Sequence, residues 1–371
     1  MSARNILALN SGSSSLKFGL YRVDAAGAGK LFGETVSTAD HPDPITRVAS
    51  VLAASGMPRP DAIGHRIVHG GPAIRQHCRI DDAVLQQLQA ATAFAPLHTP
   101  AALALIRFAQ AHFPGIPQVA CFDTQFHADL PEVARVLPIA RELLSDGMQR
   151  YGFHGLSLES IVRQLGDDVP DQSSLQVPER LVIAHLGNGA SNTALKAGRS
   201  IDTSMGLTPS GGVIMGTRSG DLDPGVLVYL MREKKFDAAR LEALVNQRSG
   251  LLGISGVSGD MRRLHEAAAS NRDARLAIEM FCYSVRKQVA AMIAVLGGLD
   301  MLVFTGGIGE NDAQVRAQIC SGLSWIGVSL DESRNRSASN PVSDGASRCR
   351  VHVLASQEDE QIVRHTWALL A

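Results

Sequence analysis

Two arginines stand in settings that suit anion binding. Arg66 lies in GHRIVHGG and Arg218 in MGTRSGD, among glycines and apolar residues where a bulky cation is hard to place without an anionic partner. The planar guanidinium presents a fork of N–H groups that fits the oxygens of a carboxylate or a phosphate. A solvated arginine or a surface ion pair is the other interpretation, and from the residues alone both stay open.

Two glycine-rich segments are candidate phosphate-binding turns. In NSGSSSLK, residues 10–17, small residues let backbone N–H groups turn toward an anion, and serine hydroxyls add donors. It is not a Walker A loop, because the GxxxxGK[ST] spacing is absent and a strand follows. A plain hairpin turn explains it equally well. GGIGEN, residues 306–311, follows an apolar strand and opens a helix, which suits a nucleotide at a helix N-terminus.

Three histidines are further candidates for contact with a ligand. His154 in YGFHG and His185 in HLGNG lie beside glycines that permit close approach of a ligand. An imidazole can donate to a phosphoryl group, although a histidine satisfied within the core is the commoner case. His98 precedes Thr99 and Pro100, which are typical of an N-cap and a first helical residue.

Two acids are candidate magnesium ligands. Asp123 lies at a predicted strand end and Glu358 at a predicted helix start, and carboxylate oxygens suit Mg²⁺. Glu358 and Asp359 also have a structural interpretation, because Ser356–Asp359 fits a capping box and acids favour the first helical turn. No HExxH, GxSxG or Cys/His cluster is present, which argues against a zinc hydrolase or a serine esterase.

The elements that position these residues alternate between strands and helices. Ile6–Leu9, a Gly/Ser turn and residues 16–21 predict strand, turn, strand, and the pattern recurs from Leu181 onward. One apolar stripe predicts a long helix near residues 273–296, which Gly297 ends. A buried strand at Met301–Phe304 and a final helix follow. The repeated opening suggests two related domains of an α/β fold.

Composition limits the function classes. The chain has 371 residues, enough for two domains, and a net charge of −1, which gives no reason to expect nucleic acid or a membrane as partner. The five cysteines are odd in number and lack CxxC spacing, so we expect free thiols in a reducing compartment. The apolar run within the opening MSARNILALN is too short for a signal peptide or a membrane span, so we expect a cytoplasmic protein.

Taken in order, the motifs resemble those of the acetate kinases, from Ile6 to about Arg364. They are LNSGSSSLKF, GHRIVHGG, PLHTP, FDTQFH, YGFHG, HLGNGAS, DTSMGLTPSGGVIMGTRSGDLDP, GVSGDMRRL and FTGGIGEN. The resemblance implies the duplicated actin-like (ASKHA) α/β fold, with a nucleotide cleft between two related domains. Residues 1–148 with about 359–371 would form the N-terminal domain, on the carboxylate and phosphate side. Residues 149–358 would form the nucleotide-binding domain.

The resemblance also implies roles for individual residues. Arg66 and Arg218 would hold the carboxylate and the transferring phosphoryl group. His154 would contact that group, His98 would line the same site, and Asp123 would orient Arg66 or the Mg²⁺ waters. The metal and phosphates are expected near Asn10, Ser13, Ser15, Lys17 and Glu358. The nucleotide is expected at His185, Asn188, Gly189, Asp260, Arg262, Gly307, Gly309 and Asn311. The acyl chain is expected in an apolar pocket of Val68, Leu97, Phe153 and Pro209.

Three positions depart from the family pattern. Thr99 stands where Asn is usual, Arg263 where an acid is usual, and Ser356–Asp359 where Thr-Asn-Glu-Glu is usual, and the chain is somewhat shorter. The first two changes remove no expected catalytic group, whereas the third bears directly on Glu358.

The predicted activity is that of an acetate kinase: reversible, direct in-line transfer of the ATP γ-phosphoryl group to acetate. The implied metal is Mg²⁺, or Mn²⁺ in its place, and the implied assembly is a homodimer. A catalytically silent nucleotide-binding regulator of the same fold is an alternative, but it should have lost a charged group that Arg66, Arg218, His154 and Asp123 still provide. A sugar or butyrate kinase is a third interpretation, and the paired arginines disfavour a neutral sugar.

Overall fold

The chain divides into two compact units, each built around its own sheet. The computed structural model describes residues 2–12, 15–37, 44–54, 56–166 and 177–370, so Ser13 lies outside the described residues. Unit 1 contains Met1–Ala128, Phe153–Ser160 and Gln357–Ala371. Unit 2 contains Asp129–Gly152 and Ile161–Ser356.

Strands and helices alternate along the chain, as the sequence predicts for an α/β fold. The strands are β1 Arg4–Ser11, β2 Ser15–Asp24, β3 Gly27–Ser37, β4 Ala62–Ile67, β5 Cys78–Arg79, β6 Gln118–Phe122, β7 Arg180–Leu186, β8 Ala190–Lys196, β9 Arg199–Thr203, β10 Met301–Thr305 and β11 Arg350–Val353. The helices are α1 Pro44–Ala54, α2 Asp82–Ala90, α3 Thr99–His112, α4 Glu132–Arg135, α5 Gly155–Gly166, α6 Pro224–Glu233, α7 Ala238–Gln247, α8 Gly250–Ser255, α9 Met261–Ala268, α10 Arg272–Leu296, α11 Gly306–Asn311, α12 Ala313–Ser321, α13 Glu332–Ser337 and α14 Glu358–Leu369. Short 3₁₀ helices lie at Ala91–Phe94, Gln125–His127, Arg141–Asp146 and Ser324–Ile326.

The sheet of unit 1 has the strand order β3-β2-β1-β4-β6-β5. β1 and β2 form the predicted antiparallel hairpin, in which Asn10 pairs with Lys17. β4 lies parallel to both β1 and β6, so the carboxyl ends of these three strands meet at one edge of the sheet. Ligands of open α/β sheets bind beyond that edge, which is where Asn10, Arg66 and Asp123 are found.

Apolar side chains cover both faces of this sheet. Leu9, Phe18, Ile63 and Leu105 belong to a core cluster that includes residues of α1 and α3. On another face Ile362 and Val363 of α14 pack with residues of β1 and β6. The close contact between α14 and β4 depends on Gly64, because a Cβ there would lie 2.3 Å from Oγ1 of Thr366. α14 is therefore seated directly on the sheet that carries the site.

The sheet of unit 2 has the order β11-β10-β7-β8-β9, with β10 parallel to β7 and to β11. The predicted long helix is α10. Asn271 caps its start by accepting from the backbone N–H groups of Asp273 and Ala274, and Gly297 ends it at a φ of 70°. Its predicted apolar stripe, which includes Phe281, Val285 and Val289, is buried. This prediction of a helix is confirmed.

Two further observations concern the cysteines and the helices. The five cysteines, all within the described ranges, form no disulfide, as predicted for free thiols. Among the helices that the structure describes, none combines the length and the hydropathy needed to cross a membrane.

Candidate functional site

A buried ion pair between Arg66 and Asp123 is the centre of the candidate site in unit 1. Arg66 lies on β4, and Asp123 follows β6, where its backbone N–H donates to the carbonyl of Ile67. Nε of Arg66 lies 3.1 and 3.0 Å from the two carboxylate oxygens of Asp123, and Nη2 lies 2.7 Å from Oδ2. The side chain of Asp123 is 1% exposed. This bidentate geometry fixes the plane of the guanidinium.

Asn10 links that pair to the start of α14. Its Oδ1 accepts from Nη1 of Arg66 at 3.2 Å. Its Nδ2 donates to Oε2 of Glu358 at 3.0 Å and to Oδ1 of Asp359 at 2.8 Å. The sequence separation between Asn10 and Glu358 is 348 positions. The structure therefore brings together four of the predicted residues, Asn10, Arg66, Asp123 and Glu358, and adds Asp359.

The role of Asp359 corrects the capping-box interpretation. α14 begins at Glu358, and its N-cap is Gln357, whose side chain makes no capping hydrogen bond. Ser356 is therefore not the N-cap, and Asp359 contacts Asn10. The prediction for α3 needs a similar shift, because His98 is the N-cap and Thr99 is the first helical residue.

Carboxylates outnumber the cations in direct contact with them in this cluster. Asp123 and Glu358 both pair with one guanidinium, that of Arg66, whereas Asp359 contacts Asn10 and is influenced by Lys17 and Lys30 only at longer range. Burial works against the charged form of Arg66, but Asp123 and Glu358 outweigh it and raise the pKa of the guanidinium. Burial raises the pKa of Asp123 to about 6 while Arg66 opposes the rise, so the carboxyl is mostly ionised at neutral pH. Burial also raises the pKa of Asp359.

The same cluster has the donors that a hard divalent cation needs. Mg²⁺ binds through oxygen and keeps several waters, so it needs only one or two carboxylates from the protein. Oδ1 of Asn10 and the carboxylates of Glu358 and Asp359 are such oxygens within one hydrogen-bonded group. A divalent cation would also bring positive charge into direct contact with the carboxylates of Glu358 and Asp359. The residues present therefore fit a magnesium ion.

Several other predicted residues lie in unit 1. Lys17 is exposed on β2, opposite Asn10 in the hairpin. His154 precedes α5 and has a φ of 61°. A non-glycine residue in this left-handed region is strained by about 1–3 kcal/mol, and such strain clusters at functional sites.

Residues predicted to hold the acyl chain differ in burial. Phe153 is buried, and its ring makes an edge contact with His69 at a centroid distance of 5.6 Å. Val68 is also buried, whereas Leu97 is 45% exposed. The fourth, Pro209, belongs to unit 2.

Arg218 is buried in unit 2. Its Nη1 donates to the carbonyl of Pro209 at 2.9 Å and lies 3.7 Å from Sδ of Met215. The side chain is 8% exposed. Burying a guanidinium is costly unless anions or hydrogen-bond acceptors meet its charge, and the carbonyl of Pro209 is one such acceptor.

Two turns follow the adjacent parallel strands β7 and β10. The β7–β8 turn contains Asn188 and Gly189, and Gly187 donates to the carbonyl of Gly189 at 2.9 Å. His185 at the end of β7 pairs with Thr305 at the end of β10. Because both turns lie at carboxyl ends of neighbouring parallel strands, they are placed where α/β sheets bind nucleotides.

The β10–α11 turn depends on its first glycine. Gly306 has a φ of 77°, and a Cβ there would lie 2.7 Å from the carbonyl oxygen of Leu186. Nδ2 of Asn311 donates to the carbonyl of Gly307 at 2.9 Å. The predicted residues Gly307, Gly309 and Asn311 are thus part of one compact helical turn.

Arg316 supports that turn, although no motif in the sequence indicates it. Its side chain is fully buried, and Nη1 donates to the carbonyls of Gly309 and Glu310 at 2.9 and 3.0 Å. Glu310 in turn accepts from the backbone N–H groups of Gly306 and Ser356, each at 3.0 Å. Sequence reasoning missed Arg316 and Glu310 because the contacts by which they support the turn are made with backbone groups, which carry no sequence motif.

The last predicted pair lies at the start of α9. Asp260 is the N-cap and accepts from the backbone N–H of Arg262 at 2.9 Å. The two side chains also form an ion pair at 2.7 Å in which Arg262 is 88% exposed. An ion pair this exposed contributes little to stability.

Known proteins resemble this chain over nearly its whole length. The model of the acetokinase family matches residues 25–364. An acetate kinase of Methylocella silvestris is 41% identical over 403 aligned residues, which cover 99% of this chain and 98% of that protein.

Solved structures agree with that result. A propionate kinase of Francisella tularensis has a TM-score of 0.86 at 36% identity, covering 99% of this chain and 100% of the other. An acetate kinase of Porphyromonas gingivalis has a TM-score of 0.82 at 34% identity, with the same coverage.

Proposed function

The chain belongs to the acetokinase family, and from this we propose that it transfers the γ-phosphoryl group of ATP reversibly to acetate, giving acetyl phosphate and ADP. In the forward direction a carboxylate oxygen of acetate forms a bond to the γ-phosphorus. The bond from that phosphorus to the bridging oxygen breaks, and ADP keeps the electron pair. The acceptor is already ionised near neutral pH, so no general base is needed.

The observation that carries the proposal is the unfinished hydrogen bonding of Arg66. A guanidinium has five N–H groups. Asp123 accepts from Nε and from one N–H of Nη2, and Asn10 accepts from one N–H of Nη1. Glu358 lies near Nη1 as an ion-pair partner, with Oε2 at 3.8 Å, but no other hydrogen bond links this guanidinium to a described residue. We propose that the remaining N–H on each terminal nitrogen donates to an anionic ligand. Two such donors suit two oxygens of a carboxylate or a phosphoryl group.

We propose that Arg66 and Arg218 reduce the repulsion between the two anionic reactants. Asp123 holds the plane of the Arg66 guanidinium, and the carbonyl of Pro209 holds Nη1 of Arg218. Donors that are fixed before the reaction cost no reorganisation in the transition state. His154 would add a hydrogen bond to the transferring group.

Asn10 and Glu358 would hold Mg²⁺ in unit 1, which their oxygen donors and the neighbouring carboxylate of Asp359 support. When bound, the ion would neutralise charge on the ATP phosphates. Mn²⁺ accepts the same oxygen ligands and is a substitute. Lys17, opposite Asn10, would contact the phosphates.

Unit 2 would hold the nucleotide at its two strand-end turns. His185, Asn188 and Gly189 would meet the phosphates, and Gly307, Gly309 and Asn311 would lie against the nucleoside. Asp260 and Arg262 would flank the adenosine. The ion pair between them is exposed, so it is open to a ligand.

Other parts of the proposal rest on the family resemblance. The acyl pocket would comprise Val68, Leu97, Phe153 and Pro209, with His98 near it, and a relative named propionate kinase makes the preferred acid a point to test. The homodimer, the cytoplasmic location and the domain boundaries near residues 148 and 359 also stay predictions.

A hydroxamate assay tests the proposal. Purified protein with Mg·ATP is incubated with acetate, propionate or butyrate, and hydroxylamine traps any acyl phosphate. We expect acetate to react fastest and propionate more slowly. ATP binding without acyl phosphate from any of these acids would instead support the catalytically silent regulator.

A further inference from the structure

A second polar cluster, partly buried, lies in unit 1, apart from the Arg66–Asp123 pair. It consists of His77, Glu159 and His365, whose ligand-type atoms all lie within 4.8 Å of one another. Nε2 of His365 lies 2.5 Å from Oε2 of Glu159, and Nε2 of His77 lies 3.9 Å from Oε1. Each residue comes from a different one of the three chain segments that form unit 1. We call these three residues the Glu159 cluster.

Two imidazoles and a carboxylate could hold a transition metal, but the hydrogen bonds argue against it. A histidine that binds a metal normally donates its other ring N–H to an acceptor. Nδ1 of His77 instead accepts the backbone N–H of Phe122 at 3.0 Å. The neutral ring must therefore carry its proton on Nε2, the atom that faces Glu159. A metal there would require an imidazolate.

The cluster is better explained by the carboxylate of Glu159 accepting hydrogen bonds from the side chains around it. Burial pushes the pKa of Glu159 upward, but the hydrogen bond from His365 and the nearby His77 outweigh it and lower the pKa to about 2. Glu159 is therefore charged. Nε2 of Gln361 also donates to Oε2 of Glu159, at 3.3 Å. Two residues of α14 thus contact one carboxylate on α5.

The contacts fall on the face of α14 that carries Glu358. Residues three, four and seven apart share one face of a helix, and Glu358, Gln361 and His365 have this spacing. His365 lies about 10 Å along the helix from Glu358, at 1.5 Å per residue. A rotation or shift of α14 that broke the Glu159 contacts would also move Glu358 and Asp359 away from Asn10.

We propose that Glu159 is a positioning residue, which through His365 and Gln361 fixes the rotation of α14 and so presents Glu358 and Asp359 to Asn10. The inference rests on the proposed function insofar as those acids serve the metal. His77 completes the cluster by directing its Nε2–H at the same carboxylate. Among the described residues that buried atom of His77 makes no hydrogen bond, and Oε1 of Glu159 lies 3.9 Å from it.

Four variants test the inference. Glu159→Gln removes the charge, and His365→Leu removes the donor from α14. His365→Gln keeps an N–H donor at similar reach. Arg364→Gln is the matched control, because Arg364 forms its ion pair with Glu360 inside the same helix and at 2.8 Å. The readouts are hydrogen exchange of the α14 backbone amides without ligand, and the Mg²⁺ concentration for half-maximal acetyl phosphate formation.

In Glu159→Gln and His365→Leu we expect the backbone amides of α14 to exchange hydrogen faster. We also expect half-maximal product formation to need about tenfold more Mg²⁺, which is the lower end of the loss seen when a group that orients metal ligands is removed. Turnover at saturating Mg²⁺ should stay close to that of the parent protein. His365→Gln and Arg364→Gln should match the parent protein in both readouts.

Three results would overturn the inference. One is unchanged exchange and Mg²⁺ requirement in Glu159→Gln and His365→Leu. Another is an equal effect from Arg364→Gln, which would mean that only helix stability matters. The third is one equivalent of Zn²⁺ bound by the parent protein and lost in Glu159→Gln. If the parent protein makes no acyl phosphate, the proposed function fails, while the exchange measurement still decides whether Glu159 holds α14.

Discussion

Replacing Arg66 is the perturbation whose consequences the structure defines best. Arg66→Ala removes three hydrogen-bond contacts to Asp123 and one to Asn10. It leaves Asp123, which is 1% exposed, without its cation and beside the charge of Glu358. Breaking a buried ion pair by removing one partner costs about 3–5 kcal/mol, and most of that cost is the carboxylate left behind.

The same change should remove catalysis. Loss of one fixed charged donor lowers kcat by about 10²–10³. Arg66→Lys keeps the charge but lacks the fork, so it cannot contact both oxygens of Asp123 and Asn10 together, and turnover should stay low. Stability and turnover should separate in Arg66→Ala/Asp123→Asn, where position 123 no longer carries an unpaired buried charge. That double variant should regain most of the lost stability and none of the turnover.

Urea unfolding and initial rates of acetyl phosphate formation measure the two effects. The prediction requires that the free energy of unfolding be highest in the parent protein, lower in the double variant and lowest in Arg66→Ala. An Arg66→Ala variant with normal turnover would refute the role in transfer. A double variant less stable than Arg66→Ala would refute the argument that an unpaired carboxylate is the source of the instability.

Four further predictions follow from the site. Arg218→Ala should lower kcat by about 10²–10³, with poor rescue by lysine, because its guanidinium is a second fixed donor. Val68→Ala should shift the ratio of kcat/KM toward propionate or butyrate by about 1–3 kcal/mol, the value of one or two methylenes. Glu358→Gln should lose turnover steeply and recover in part at high Mg²⁺, with little change in melting temperature, whereas the first-turn control Glu360→Gln should not. The pH profile of kcat/KM should fall on the acid side near the Asp123 pKa of about 6, because the carboxylate is needed ionised to hold Arg66.

Each of these has an outcome that contradicts it. Near-normal turnover in Arg218→Ala would remove that arginine from the transfer step. An unchanged preference in Val68→Ala would remove it from the pocket. Equal turnover in Glu358→Gln and Glu360→Gln would assign Glu358 to the helix dipole alone, which is worth about 0.3–1 kcal/mol. An acid limb far from the Asp123 pKa would assign the pH dependence to another group.

Local patterns in the sequence predicted the elements well. The β1–β2 hairpin, the strand at Met301–Thr305 and α10 are found where period and end signals place them, and the largest difference is at β2, which runs three residues beyond the predicted end at Tyr21. These elements are determined by contacts close in sequence, by alternation in strands and by the apolar stripe with its glycine stop in α10.

Contacts between distant segments account for what the sequence could not predict. The capping-box interpretation of Ser356–Asp359 was wrong. The side chain of Asp359 instead accepts a hydrogen bond from Nδ2 of Asn10, which is 349 positions away in the sequence. The Glu159 cluster joins residues 206 positions apart, and no local period signals it. Arg316 was missed for a different reason, since it binds carbonyls of the β10–α11 turn and forms no motif.

The most direct test of the proposed reaction follows the new bond itself. The parent protein is incubated with Mg·ATP and acetate labelled with ¹³C at the carboxyl carbon, and ¹³C and ³¹P spectra are recorded together. The account predicts an acetyl phosphate signal in which the two nuclei are coupled, appearing in step with ADP. ADP and inorganic phosphate without that coupled signal would contradict it.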